Sequence, residues 1–183
     1  MISEKELLQG CRQGKRESQR QLYDLYAKKM MVVAMRYSKF DQEAEDIIQE
    51  AFIKIFDKIS TFRGECRLDF WIKRIVVNTA LNHQRSKLYL FPMTDINDVN
   101  FTEDSDFSLA DFNFKELLKM IQKLPSGCQA VFNLYAIEGY THKEIAETLS
   151  ISEGTSKSQY SRARVLLREQ FKQEDKLSYG QAK

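Results

Sequence analysis

The chain has 183 residues, 43% of them hydrophobic, and a formal net charge of +2. These values fit a globular protein of one domain or two small ones, and the low glycine and proline content argues for long helices over a turn-rich β fold. Three widely spaced cysteines exclude a disulfide framework or a zinc site. No apolar run reaches the length of a signal peptide or membrane span, so we predict a cytoplasmic protein.

The small net charge conceals three unequal zones. Residues 63–87 carry six basic and two acidic residues, and residues 152–172 carry five basic and two acidic residues. Between Leu88 and Phe114 there are six acids and no lysine or arginine. This pattern predicts two polyanion contacts joined by a segment that avoids, or imitates, nucleic acid.

The first two predicted helices resemble packing elements. Ser3 and Glu6 form a capping box at the start of a short helix. A second helix is predicted from about Glu17 to Tyr37. Its apolar residues at helical spacing are Leu22, Leu25, Tyr26, Met30 and Val33.

The segment from Asp41 to Asp57 is the clearest amphipathic helix, and Asp41 is the predicted cap at its start. Its apolar face is Ala44, Ile47, Ile48, Ala51, Phe52, Ile55 and Phe56. On the other face, Ile53 is surrounded by Asp46, Gln49, Glu50, Lys54 and Asp57. An isolated surface isoleucine is ordinary. Ringed by polar groups, it also fits the apolar centre of a docking patch.

A loop then precedes a helix predicted from about Asp69 to Lys87. Most of that helix is predicted to be buried, through Phe70, Ile72, Val76, Val77 and Ala80. One strip at helical spacing differs, and it contains Trp71, Arg74, Asn78, Asn82 and Arg85. Such a row of groups is suited to holding phosphates, bonding base edges and stacking on unpaired bases. The alternative is a core tryptophan beside a solvated stripe.

Residues 88–111 lack helical periodicity and are rich in Asp, Asn and Ser, which predicts a flexible linker. Helical spacing resumes at Leu117, is interrupted at Pro125 and stops at Gly139. The chain after Lys172 is a polar tail.

Thr141 to Phe171 is predicted to form a helix, a tight turn and a second helix. Thr141 and Glu144 form a capping box, and Ser152 is the candidate cap of the second helix. The predicted buried side is Ser156, Tyr160, Ala163, Leu167 and Phe171. The opposite side and its flank hold Thr155, Lys157, Ser158, Ser161, Arg162, Arg164, Val165 and Arg168. Small polar groups beside arginines suit a helix in a DNA major groove, although an αα-hairpin with a solvated basic face has the same pattern.

These segments together resemble a small bacterial sigma factor of the sigma-70 family, extracytoplasmic-function group. The resemblance rests on DIIQEAFIKIF, TFRGECRLDFWIKRIVVNTALNHQR, the acidic linker, and EGYTHKEIAETLSISEGTSKSQYSRAR, in this order. It implies an all-α protein of two helical domains. Residues 1–88 would bind core RNA polymerase and melt the −10 element, residues 89–112 would be the linker, and residues 113–183 would carry the helix-turn-helix that reads the −35 element.

The resemblance also assigns residues to each contact. The polymerase contact would use Asp46, Gln49, Glu50 and Phe52, with Ile53 added from the helical wheel. The −10 contact would use Phe62, Arg63, Arg67, Arg74, Asn78, Asn82 and Arg85. The −35 contact would use Thr141, Thr155, Lys157, Ser158, Ser161, Arg162 and Arg164. The chain departs from the family pattern at Ser156, where the family buries a valine, and at Gln159 and Tyr160.

The implied function is promoter recognition without covalent chemistry, cofactor, metal or small-molecule substrate. The implied partners are core RNA polymerase, promoter DNA and an anti-sigma factor, which in the family is often membrane-tethered. A stand-alone helix-turn-helix regulator would leave the helix at residues 41–57 without a purpose. A sigma-like adaptor that does not initiate stays open. An enzyme is disfavoured because His83 and His142 are far apart and no nucleophile and base are paired.

Overall fold

The computed structural model describes residues 3–88 and 114–180. Across these residues the regular structure is helical, with no strand, which confirms the all-α prediction. The chain divides after Gln84 into two compact units. The predicted acidic linker, residues 89–112, lies outside the described residues.

The first unit contains four helices and one short 3-10 turn. They are α1 (Glu4–Arg12), α2 (Arg16–Met35), α3 (Asp41–Lys58), the 3-10 turn (Ile59–Thr61) and α4 (Leu68–Leu88). The capping box at the start of α1 is confirmed: Ser3 accepts from the Glu6 backbone N–H, and the Glu6 carboxylate accepts from the Ser3 N–H at 2.8 Å. The predicted cap at Asp41 is wrong, because Phe40 occupies the cap position and Asp41 is the first helical residue.

The core of the first unit forms where α2, α3 and α4 turn their apolar faces inward. The fully buried side chains of this core include Leu22, Ile47, Ile48, Ile55 and Ile72. Two residues assigned to packing from their spacing, Leu25 and Phe70, are instead 59% and 53% exposed. Leu25 lies on the solvent side of α2, and Phe70 lies beneath the cations of Arg67 and Lys73, at 5.4 and 5.7 Å from its ring centre.

The second unit contains α5 (Phe114–Lys123), α6 (Ser126–Phe132), α7 (His142–Leu149) and α8 (Glu153–Gly180). α6 continues into a π-helical turn at Asn133–Ile137, and the chain then reverses at Gly139, whose positive φ of 79° favours glycine. The buried cluster is Met120, Ile121, Leu124, Cys128, Phe132, Ala163 and Leu167. α8 continues through the predicted polar tail as far as Gly180.

The helix-turn-helix is α7, the turn at residues 150–152, and α8. The predicted capping box at Thr141 and Glu144 is confirmed, with both hydrogen bonds present. Ser152 caps α8, since its hydroxyl accepts from the Thr155 N–H at 2.9 Å. The turn itself depends on Ser150, which adopts the left-handed region at φ 57° although it is not a glycine. The sequence did not indicate this residue, because serine rarely occupies that region.

Candidate polymerase and nucleic-acid interfaces

The outer face of α3 presents the predicted polymerase patch. Asp46 and Gln49 are exposed, and Ile53 is 62% exposed at its centre. Phe52 does not belong to this surface. It is buried in the first unit, where it packs edge-on against Tyr23 with ring centres 4.7 Å apart, so a direct contact by Phe52 with a partner is excluded in this conformation.

Glu50 is the one member of that patch held in place from two sides. One carboxylate oxygen accepts a hydrogen bond from Lys54 on the next turn of α3 at 2.5 Å, and the other lies 2.5 Å from Nε2 of His83 on α4. The bond from Lys54, followed by the contact with His83, lowers the pKa of Glu50. The carboxylate therefore stays ionised and oriented, and it joins α3 to α4 behind the exposed patch.

A cavity of about 530 Å³ opens where the loop at residues 62–67 meets α4. Its lining residues are Ser60, Thr61, Phe62, Arg63, Glu65, Cys66, Trp71 and Arg74. Phe62 and Trp71 pack with their ring centres 5.4 Å apart, which supplies an aromatic wall. Phe62 is itself only 6% exposed, so it supports this wall and does not project into solvent as an exposed contact would.

The predicted strip along α4 continues from this cavity. Arg74, Asn78 and Asn82 are exposed, and Trp71 is half-buried, so Trp71 is neither a core residue nor a free surface residue. Arg67 is exposed and forms an ion pair with Asp69, at 2.8 Å. The side chain of Arg85, the last predicted member, lies outside the described part of the chain.

In the helix-turn-helix, the predicted −35 residues have different degrees of exposure. Thr141 and Lys157 are exposed, whereas the side chains of Ser158, Ser161, Arg162 and Arg164 are half-buried. The placement of Thr155 on the open face is wrong: it is 6% exposed, and its hydroxyl lies 2.8 Å from that of Ser152. Thr155 therefore takes part in the hydrogen bonds with Ser152 at the start of α8 and does not face solvent.

Two of the three departures from the family pattern, Ser156 and Gln159, are buried polar residues, and both find polar partners. The Ser156 hydroxyl, fully buried, lies 2.9 Å from Nδ1 of His142 on α7. The Gln159 carbonyl accepts a hydrogen bond from the buried Cys128 thiol at 3.0 Å. The imidazole of His142 also stacks on Tyr135, with ring centres 4.3 Å apart. Burial, and then the nearby charge of Lys157, lower the pKa of His142.

Several of these site residues were not indicated by the sequence. Ser60 and Thr61 line the cavity, and Arg12 donates a hydrogen bond to the Phe62 carbonyl at 2.8 Å, 50 residues away along the chain. Local periodicity carries no information on such a contact. The signal that could have identified His142 was the polar residue at position 156, which required a partner.

The described part of the chain has neither a metal-binding cluster nor a membrane-spanning helix. Within the described ranges, no group of three or more His, Cys, Asp or Glu side chains is arranged to hold a metal ion. None of the helices in that same part of the chain combines the length and apolar character needed to cross a membrane.

Comparison with known proteins identifies the family. Residues 22–88 match the model of sigma-70 region 2, and residues 114–167 match that of sigma-70 region 4. The chain is 32% identical over 152 residues to the RNA polymerase sigma-H factor of Pseudomonas aeruginosa, covering 76% of this chain and 78% of that protein. It is 28% identical over 178 residues to an ECF RNA polymerase sigma-E factor of Haemophilus influenzae, covering 91% and 94%.

A solved structure shows the same fold. The sigma factor RpoE from Bartonella quintana, crystallised with the anti-sigma factor NepR, superposes with a TM-score of 0.52 at 22% identity, over 84% of this chain and 96% of that one. The sequence relatives and both family regions agree with the motif order in the chain. The chain therefore belongs to the sigma-70 family, extracytoplasmic-function group, as an alternative sigma factor that binds core RNA polymerase and directs promoter-specific initiation of transcription.

Proposed function

We propose that the two halves of the chain divide the promoter between them. Residues 1–88 bind core polymerase and the melted −10 element, residues 113–183 read the −35 duplex, and residues 89–112 join them. The observation that best supports this division is the cavity beside Trp71, because it has the chemistry needed to hold a base removed from the DNA stack.

The cavity combines three kinds of group that a flipped base needs. The half-buried indole of Trp71 offers a stacking surface, Arg63 and Arg74 supply positive charge for the backbone, and Glu65 offers an acceptor for a base edge. Its volume of about 530 Å³ lies within the usual range of small-ligand sites. Stacking on an aromatic side chain contributes roughly 1–3 kcal/mol per base, which offsets the few kcal/mol needed to unpair it.

The exposed row on α4 extends this site along the strand. Arg74 would contact phosphate, while the amides of Asn78 and Asn82 would bond base edges. Because these three side chains follow one helix face, the strand would run along α4 away from the cavity. Arg63 and Arg67 would hold the strand at the loop, and Arg85 would extend the basic row.

The polymerase contact would be the α3 patch of Asp46, Gln49, Glu50 and Ile53. An exposed isoleucine within a polar rim has the composition of a protein interface centre. Lys54 and His83 already hold Glu50 in one orientation, so less side-chain freedom is lost when a partner binds. Phe52 would act from beneath, by keeping α3 packed on the core.

The −35 contact would be the exposed side of α8, entering the major groove. Lys157, Arg162 and Arg164 would reach phosphates or guanine edges, and Ser158 and Ser161 would allow close approach. Thr141 would contact the backbone beside the start of α7. The buried Thr155 would set the angle of the first turn of α8 through its bond with Ser152.

Two further expectations follow from the family. The Bartonella quintana sigma factor was crystallised with an anti-sigma factor. We propose that this chain too binds an anti-sigma factor, which holds it inactive, and that it acts in the cytoplasm, where polymerase and DNA are found. Its mechanism would be binding and strand capture, without covalent chemistry.

The test is run-off transcription from a promoter library with core polymerase, comparing the wild-type chain with W71A and with F40A. Phe40 is a matched control, an aromatic side chain 73% exposed at the start of α3. We expect W71A to lower initiation by about tenfold, from the lost stacking, while polymerase affinity and −35 duplex binding stay unchanged. F40A should initiate normally.

Each other result would contradict part of the proposal. Equal initiation by W71A and wild type would show that the cavity does not capture a base. Polymerase binding without any start site would instead support the adaptor interpretation. Specific duplex binding without polymerase affinity would point to a stand-alone regulator.

A further inference from the structure

We propose that Arg12, on the first helix, is a positioning residue for the −10 cavity. The inference rests on the proposed base-capturing role of that cavity. Nη2 of Arg12 donates a hydrogen bond to the backbone carbonyl of Phe62 at 2.8 Å, in a partly buried position. This contact joins the end of α1 to the point where the chain leaves the 3-10 turn and begins the cavity loop.

The Phe62 carbonyl, to which Arg12 donates, lies where the cavity loop begins. Phe62 ends the turn, with its N–H bonded to the Ile59 carbonyl at 3.3 Å, and its extended backbone directs the chain toward Arg63. Its ring meanwhile packs on Trp71, whose indole lines the cavity. The bond from Arg12 therefore acts on the residue that carries one side of the aromatic wall and begins the loop with Arg63, Glu65 and Cys66.

Arg12 is itself fixed by the packing of α1. Leu8 and Cys11 are buried beside it, and α1 approaches α2 so closely that a Cβ atom at Gly10 would lie 2.0 Å from the Ser18 hydroxyl oxygen. The backbone that carries the Arg12 side chain is therefore held in place. Arg12 also precedes residue 22, where the match to region 2 begins, so it is a feature of this chain beyond that matched segment.

The alternative role for an exposed arginine near DNA is a direct phosphate contact. The two roles differ in what they affect. A phosphate contact strengthens binding of every strand equally and weakens with salt. A positioning bond within the protein strengthens binding only when a base occupies the cavity, and its contribution to base discrimination persists as salt is raised.

The experiment uses the full chain assembled with core polymerase. Fluorescence anisotropy measures the affinity for single-stranded −10 oligonucleotides that carry each of the four bases, or an abasic sugar, at each position in turn. The discrimination ratio is the affinity for the best base divided by that for the abasic sugar. The variants are R12M, which removes the donor, R12K and R12Q, which keep one, and R20M. Arg20 is the matched control, since the ion pair that it forms within the described residues is an exposed one, with Asp24 at 3.9 Å.

We expect R12M to lower the discrimination ratio about five- to tenfold, the factor for one charge-assisted hydrogen bond at a partly exposed site. Affinity for the abasic strand should change little, the loss should persist at high salt, and R12K should recover most of it. R20M should match wild type. Emission from Trp71, the single tryptophan of the chain, reports folding of the first unit in each variant. If R12M does not fold, R12A, which also removes the donor, replaces it.

Two results would overturn the inference. Equal losses for base and abasic strands, fading with salt, would make Arg12 a phosphate contact. An unchanged ratio in R12M would show that the loop holds its position without this bond. A wild-type protein that does not discriminate base from abasic sugar would refute the base-capturing role of the cavity itself, a separate and recognisable failure.

Discussion

The buried pair of Ser156 and His142 gives the sharpest test of how this helix-turn-helix is held together. The Ser156 hydroxyl has no exposure to solvent, and its partner Nδ1 lies 2.9 Å away on the other helix. Replacing His142 with Phe keeps a flat ring that can stack on Tyr135 but removes the nitrogen. The hydroxyl is then left buried without a partner, which costs roughly 1–3 kcal/mol.

The second substitution separates this cost from lost packing. S156V removes the hydroxyl and restores the valine typical of the family, and the half-buried His142 keeps access to water. We therefore expect S156V alone to be neutral or stabilising, and H142F/S156V to recover most of the stability lost in H142F. The coupling energy between the two sites should be about 1–2 kcal/mol.

Urea unfolding of the full chain provides the measurement, because the single tryptophan of the chain lies in the first unit and identifies its transition. Near-ultraviolet circular dichroism of the tyrosines follows both units, since Tyr23 and Tyr37 lie in the first and Tyr135 and Tyr160 in the second. Fluorescence of Trp71 follows the first unit alone, so the remaining transition belongs to the second. The Trp71 transition should not move in any of these variants. If H142F leaves the free energy of unfolding of the second unit unchanged, or if S156V lowers it as much as H142F does, the hydrogen bond does not stabilise the fold and the reasoning fails.

Two further predictions concern pH and helix packing. The pKa of His142 is lowered in the folded state, by burial first and by the charge of Lys157 second. The stability contributed by the neutral imidazole is therefore complete above the unfolded pKa near 6.5, and it is lost as the pH falls below that value. The urea midpoint of the second unit should fall as the pH drops below about 6.5, and H142F should remove the part of that fall due to this residue; an unchanged pH slope in H142F would contradict the assignment. In α1, G10A would place a Cβ atom 2.7 Å from Cβ of Ser18. We expect the free energy of unfolding of the first unit, followed by Trp71 fluorescence, to fall by roughly 1–2 kcal/mol, because the strain of overpacking exceeds the gain from the helix preference of alanine. In an S18G background both colliding atoms are absent, and the same substitution should cost nothing; a cost that persists there would show that the close approach is not its cause.

Variants in the two units should affect different measurements. Variants at Arg12 and Trp71 should alter base discrimination with −35 binding intact. Variants at His142 and Ser156 should alter the stability of the second unit with the first unchanged. This separation follows from the division of the chain after Gln84 into two compact units.

Sequence patterns that depend on near neighbours predicted this structure well. Both capping boxes, at Ser3 and at Thr141, are present because each joins residues three apart on one helical turn. The amphipathic face of α3 was also correct, since its apolar residues repeat at the helical period and all must face one core. The same period failed at Leu25 and Phe70, because apolar residues may share a helical spacing without having a packing partner.

The helical wheel also misplaced Thr155. The wheel assumes that burial depends only on the face of the helix, but Thr155 is buried at the start of α8, where its hydroxyl and its backbone N–H both bond to the Ser152 hydroxyl. Phe52 and Phe62 show that membership of a family motif does not make a side chain accessible. Both belong to recognisable motifs, yet the fold buries them at 3% and 6% exposure, which leaves them a supporting role beneath their surfaces.

The sequence by itself determined the helical class, the helix-turn-helix, the family and the function, because these depend on local periodicity and on the order of motifs along one chain. Only the tertiary structure decided which side chains form the cavity, that Arg12 holds Phe62, and that His142 satisfies Ser156. These contacts join residues 50 and 14 positions apart, and their geometry depends on how whole helices pack. No local pattern encodes that packing, since the same amphipathic helix can bury its apolar face against many different partners.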